Sequence, residues 1–275
     1  MGIKVGSQII DGEGGGSVTI AGITDRGATG AALLATTTPA EARAVSAPSR
    51  PATGSALHHW RLDQSGTLAD RGSAAVALTP VGGGWLRQRP GLYVEFDAIC
   101  QRAPAAGNRL SAATSIPAGI DVTLAITTAA YDRPPVFVTT EALLWVWDEN
   151  AALDDFAAIV TTGAGQVYAA VKAAGGGGDV NALTTVSWAR PHEFVLTIGG
   201  STVRFYIDGI EVASRTTAGT RAAATEVSVG GVAGNPFGVA SSTLLMADAR
   251  VDLRAWSAAE VLASYELARE IFQPI

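Results

Sequence analysis

The run YVEFD places Glu95 and Asp97 one residue apart. On an extended strand such a pair shares a face, and two carboxylates flanking a bond are the apparatus of glycoside hydrolysis, one acting as acid and the other as nucleophile or base. A second acidic group, Asp148, Glu149, Asp154 and Asp155 around Asn150, offers the oxygen ligands that calcium takes from a loop, with Asp148, Asn150 and Asp154 as candidate ligands. It lacks the EF-hand pattern, and a solvated acidic loop accounts for the same residues. A structural calcium is therefore the one cofactor the sequence raises. His58 and His59 are adjacent, so on a strand they face opposite sides and cannot together grip a metal. Without a G-x-S-x-G elbow or an H-E-x-x-H helix, acyl transfer and zinc hydrolysis have no foothold. Cys100 is the single cysteine, which excludes an intrachain disulfide and reads as a small buried apolar residue. Aromatic side chains remain. Trp145 and Trp147 share one strand face, and Tyr168, Trp188 and Tyr206 stand on other segments. Each is a candidate to stack on a sugar ring, although a large aromatic in a β-protein more often fills the core.

The elements that must position these residues are strands. Ser201 to Ala213, STVRFYIDGIEVA, reads as two alternating apolar runs joined by Asp208-Gly209. Val203, Phe205 and Ile207 share a face, Ile210 and Val212 prolong the pattern, and Asp-Gly supplies the positive φ angles of a tight hairpin turn. Further β-prone runs are Ile120 to Thr128, Ala142 to Trp147, Phe156 to Thr161, Gln166 to Ala173, Val186 to Trp188, Val227 to Val232 and Leu244 to Trp256. Turn-rich segments separate them, as in a sandwich. Gly175 to Gly178 reads as a loop, without the Lys-Ser or Lys-Thr of a phosphate cradle. Ser257 to Glu260 forms a capping box, and Val261, Tyr265, Ala268 and Phe272 follow at helical spacing, predicting a carboxy-terminal helix with one apolar stripe.

Near the amino terminus, Ile3 to Ile10 and Ser17 to Ile23 alternate around DGEGGG and predict a small strand pair. Thr38, Pro39 and Glu41 fit an N-cap, first-turn proline and capping box, predicting a short helix from Pro39 to about Val45. APSRPATGS, residues 47–55, reads as a linker. The expected organisation is an attachment or oligomerisation segment with linker over residues 1–54 and one large domain over 55–275.

Composition sets outer bounds. The chain has 275 residues, 48% hydrophobic and 16% charged, which allows a sizeable core and argues against disorder. Its formal net charge of −6 disfavours nucleic acid and anionic membrane as partners, since both recruit clustered Lys and Arg. The first residues lack the basic-then-apolar pattern of a signal peptide, and no apolar run reaches membrane-spanning length.

Several of these runs resemble known families. PHEFVLTI at 191–198, together with the Asp-Gly hairpin, resembles the hairpin of concanavalin A-like jelly rolls of the LamG type. Trp60, Leu62, Asp63, Asp70 and Leu78 resemble the opening of such domains, Tyr93 to Asp97 an internal strand, and Leu244 to Tyr265 their closing strands and terminus, so the likeness spans about residues 55 to 272. It implies an all-β jelly-roll sandwich with a carboxy-terminal helix. Laminarinase-type hydrolases share that fold and carry E-x-D-x-x-E, but Cys100 stands where the second glutamate belongs, so retaining hydrolysis of that type is not expected. Thr29, Gly30, Leu33, Leu34, Ala35, Ala40, Ala42 and Arg43 resemble a stretch of phage tail-fibre and other virion proteins, although Val45-Ser46 replaces the Leu-Gly that usually follows.

Together these resemblances imply a non-enzymatic phage virion protein, a tail fibre or receptor-binding component made in the host cytoplasm and displayed outside the particle. Its jelly roll would contact host surface glycan, and residues 1–50 would join other virion proteins in a homotrimer. A capsid decoration or head-fibre protein shares the same features. A bacterial polysaccharide-binding or degrading protein is the alternative of another class, for which a signal peptide and a second carboxylate near Asp97 would be expected.

Overall fold

The computed structural model describes residues 3–5, 8–10, 56–62, 68–83, 85–88, 98–101, 107–129, 140–147, 156–172, 179–180, 183–188, 190–217, 219, 221–233 and 240–271. The chain divides into two compact units, Met1–Pro48 and Ser49–Ile275. In the first unit β1 (Ile3–Val5) pairs antiparallel with β2 (Gln8–Ile10), Lys4 opposite Ile9. Both strands fall inside the first of the two alternating runs, so the reversal comes before DGEGGG. The expected helix from Pro39 lies outside the described residues.

The second unit is built from strands. They begin with β3 (Ala56–Arg61), β4 (Thr79–Val81), β5 (Trp85–Gln88), β6 (Ala98–Gln101), β7 (Arg109–Ile116) and β8 (Val122–Ala129). β9 (Glu141–Trp147), β10 (Phe156–Thr161), β11 (Gln166–Lys172), β12 (Asp179–Val180) and β13 (Thr184–Thr185) follow. β14 (His192–Gly199), β15 (Thr202–Ile207), β16 (Ile210–Thr216), β17 (Ala224–Val229), β18 (Ala240–Ser241) and β19 (Leu245–Asp252) complete the set, before the helix α1 (Ala258–Ile271).

Nine strands form one sheet, ordered β12-β11-β10-β9-β17-β7-β4 with β13 on β11 and β18 on β9. Eight form the other, ordered β16-β15-β14-β8-β19-β6-β5 with β3 on β19. Most pairings are antiparallel; β18 on β9 is parallel. The main core lies where the inner faces meet, with Leu110, Leu124, Ile126, Phe194, Phe205 and Val227 each at most 1% exposed. This is an all-β sandwich.

Local chemistry explains the elements. Asp208 at φ 53° and Gly209 at φ 80° make the expected hairpin turn. Val203, Phe205 and Ile207 enter the core, but the register shifts between Phe205 and Tyr206, and Ile210 is 66% exposed. The inward pattern therefore resumes at Val212 and Ala213 instead of Ile210. β9 and β14 are buried almost throughout, because each has material on both sheet faces. The expected strand at Val186 to Trp188 is absent. Thr184 and Thr185 pair with β11 instead, and Trp188 Nε1 donates to Gly165 O at 2.8 Å, which holds the segment without a ladder.

α1 starts as its capping box requires. Ser257 Oγ accepts from Glu260 N at 3.3 Å, and Glu260 Oε2 accepts from Ser257 N at 2.8 Å. Those bonds, with Arg254, hold the Glu260 carboxyl below its ordinary value. The helix covers the outer face of the eight-stranded sheet, where Val261 and Trp256 pack on Ala125, Val195 and Tyr206. Among its described positions Val261, Ser264 and Ala268 are buried, and Ser264 Oγ donates to the buried Glu193 at 2.7 Å.

Candidate functional site

The aromatic candidates separate into three environments. Trp145 and Trp147 point outward from β9 on the nine-stranded sheet, where Phe156, Ala158, Val160 and Ala170 join them in a second apolar cluster, with Tyr168 at its edge. Trp145 stacks on Phe156 with ring centroids 4.4 Å apart, an arrangement that contributes about 1 kcal/mol beyond burial. Trp145 and Trp147 are 2% and 6% exposed, so protein already occupies their ring faces. Both indole N–H groups are buried without a hydrogen-bond partner. Tyr168 is half-buried, and burial raises its phenol above its ordinary value. Tyr206 lies under α1, 1% exposed, and Trp188 packs against the main core. The structure thus brings Trp145, Trp147 and Tyr168 together and leaves Trp188 and Tyr206 on separate surfaces.

The polar candidates are structural ties. His58 and His59 face opposite sides, as adjacent strand residues must. His58 stacks on Trp60 inside the sandwich, Nδ1 2.7 Å from Asp70 Oδ2 and Nε2 2.7 Å from Thr114 Oγ1 on the opposing sheet. Burial works to raise the Asp70 carboxyl, but His58 and the N–H groups of His59, Gly72 and Val76 outweigh it and hold the pKa below its ordinary value. On the outer face, His59 Nε2 lies 2.9 Å from Asp248 Oδ2, and Arg250 Nε donates to the same carboxylate at 3.1 Å. His192 Nδ1 meets Asp208 Oδ2 at 2.8 Å, which anchors the hairpin turn. Arg109 Nε donates to Glu226 Oε1 at 2.6 Å; burial raises that carboxyl, and Arg109 with Ser228 more than reverses it.

Glu141 differs. Its side chain is buried at the start of β9, accepting from Thr243 N at 3.1 Å, and burial pushes its carboxyl from 4.5 up to about 7 despite the bonds from Thr243 and Ser242.

Glu95, Asp97, Asp148, Asn150 and Asp154 lie outside the described residues, as does the side chain of Cys100. Among the described residues no group of three or more His, Cys, Asp or Glu is placed to hold a metal. No described helix is long and apolar enough to cross a membrane.

The concave site that sequence reasoning missed lies at one end of the sandwich. An open cavity of about 200 Å³ is lined by the β7–β8 turn (Gly119, Ile120), the β14–β15 turn (Gly200, Ser201) and the β16–β17 connection (Thr217, Gly219, Arg221), with Val171 and Ile198 from the strand ends. The three chain reversals are bonded to one another. Arg221 Nη2 donates to Pro117 O at 2.8 Å, and Gly119 N donates to Arg221 O at 2.8 Å. Gly200 N donates to Asp121 Oδ1 at 2.7 Å, and Thr217 donates to Ser201 O through both N and Oγ1. No local motif marks the site, since its walls come from segments about a hundred residues apart in sequence.

The fold is that of several receptor-binding domains. The binding domain of botulinum neurotoxin serotype G superposes with a TM-score of 0.57 at 10% identity, over 78% of this chain and 51% of that one. A botulinum neurotoxin DC binding domain in complex with SialylT gives 0.53 at 7%, over 78% and 52%. Trypanosoma rangeli sialidase in complex with 2,3-difluorosialic acid gives 0.54 at 14%, over 81% of this chain and 34% of the enzyme. The chain therefore spans about half the length of the neurotoxin structures. At such identities the likeness concerns the fold alone. No family model matches the sequence, and no curated protein matches it.

Proposed function

We propose that this chain is a non-enzymatic bacteriophage virion protein whose β-sandwich contacts a host surface glycan, as a tail-fibre or receptor-binding component. Residues 1–50 attach it to other virion proteins, and the assembly is a homotrimer. The observation that carries the glycan reading is the sandwich itself, shared over 78% of the chain with a domain solved in complex with SialylT. Support for the virion setting comes from the residues between Thr29 and Arg43 that resemble tail-fibre segments.

The full chain on a glycan array should give selective binding to a small set of glycans, and incubation with the bound glycans should release no new reducing ends. Uniform silence on the array would move the assignment to a capsid decoration or head-fibre protein. Deleting residues 1–50 should abolish incorporation into particles; continued incorporation would overturn the attachment role.

A further inference from the structure

We propose that the end cavity framed by Gly119, Gly200, Ser201, Thr217 and Arg221 is the glycan site and takes a single terminal pyranose ring, an assignment that rests on the carbohydrate reading above. A pyranose is amphipathic, with C–H groups on one face and hydroxyls around its edge. The cavity has the matching division. Ile120, Val171 and Ile198 supply apolar wall, whereas Ser201, Thr217, Arg221 and the glycine backbones supply polar groups. Its volume of about 200 Å³ lies below the roughly 300 Å³ at which pockets for drug-sized ligands begin, which suits one ring and not a chain.

The rim is set before any ligand arrives. Arg221 fastens the β7–β8 turn to the β16–β17 connection, Asp121 fastens it to the β14–β15 turn, and Thr217 closes the circuit through Ser201 O. A pocket whose walls are already bonded to each other loses little conformational freedom on binding. The glycines matter too. Gly200 sits at φ +57° with nothing within 4 Å of where a Cβ would stand, so its backbone is open to a neighbour. The aromatic cluster around Trp145 offers no such space, because its rings are covered.

The test titrates isotope-labelled full chain with methyl glucopyranoside, galactopyranoside, mannopyranoside, N-acetylglucosaminide and sialoside, and with the strongest array glycan. The expected result is that at least one methyl glycoside shifts the amides of Gly119, Gly200 and Gly219. Saturation transfer should then be strongest at ring C–H protons. Ser201→Trp, which fills the mouth, should weaken binding at least tenfold, and Tyr168→Ala should leave it unchanged. Shifts centred on Trp147 and Tyr168, or wild-type affinity in a folded Ser201→Trp variant, would overturn the assignment while leaving the carbohydrate reading intact. Cavity shifts with an oligosaccharide but with no methyl glycoside would overturn the single-ring size. Silence of both array and titration would overturn the carbohydrate reading itself.

Discussion

Replacing Glu141 with glutamine should make the protein more stable at neutral and alkaline pH. Glu141 is 1% exposed, it accepts from Thr243 N, and its carboxyl is raised from 4.5 to about 7 by burial. Between those values the native state keeps a proton that the unfolded chain has released, so stability falls as pH rises through the window and is constant above it. At about 1.36 kcal/mol per pH unit, the interval from 4.5 to about 7 amounts to about 3 kcal/mol. Glutamine keeps an oxygen for Thr243 N and cannot ionise. Glu141→Gln should therefore match the wild type near pH 4.5 and exceed it by about 3 kcal/mol at pH 8, or about 6–12 °C in Tm for a domain of this size. Carboxyls held low, such as Asp70 and Glu226, lose their contribution only as pH falls below the window, and comparing the two proteins at each pH cancels them. All six tryptophans lie between Trp60 and Trp256, so urea denaturation followed by tryptophan fluorescence reports on the sandwich. Parallel curves for the two proteins from pH 5 to 8 would refute the reasoning.

Other perturbations test the architecture. Asp208→Ala strips partners from His192 Nδ1, Arg190 and Glu193 N and puts alanine at φ 53°; it should destabilise by about 3 kcal/mol in urea titration. Gly231→Ala would set a Cβ 1.9 Å from Asn108 O, whereas Gly83→Ala meets nothing within 4 Å. The first should cost about 2 kcal/mol or more and the second less than about 0.5, with equal effects counting against the packing described. Ser257→Ala removes the cap of α1 and should cost about 1 kcal/mol, with faster amide exchange confined to the first turn of the helix.

Much of this fold was legible because its signals are local. Asp208-Gly209 specifies a turn by its own φ angles, and Ser257 and Glu260 satisfy each other's backbone within three residues. An alternating apolar pattern likewise marked β15, and a β-prone run marked β10, to within a residue. What stayed hidden depends on distant partners. Trp145 and Trp147 share a face as their spacing requires, yet only the tertiary cluster with Phe156 and Val232 shows that they are buried. The pairing of His59 with Asp248 spans 189 positions. Val186 to Trp188 has strand composition, but the Trp188 indole bond to Gly165 O and the His192 bond to Ser187 O hold it without a ladder. The end cavity is the extreme case, since glycine, serine and threonine in turns are ordinary until three turns converge.

The position of β19 governs when this protein can become itself. Leu245–Asp252 is flanked by β8 on one side and by β3 and β6 on the other. During synthesis, therefore, the earliest strand of the sandwich waits for almost the last. Until residue 252 leaves the ribosome the eight-stranded sheet has a gap in its middle, with unpaired edges exposed on both sides of it. Closure of this sheet should therefore wait for β19, and its long-range pairings should make folding slow for its size. A stop codon anywhere before β19 would leave an unclosed sheet prone to aggregation, whatever its other strands encode.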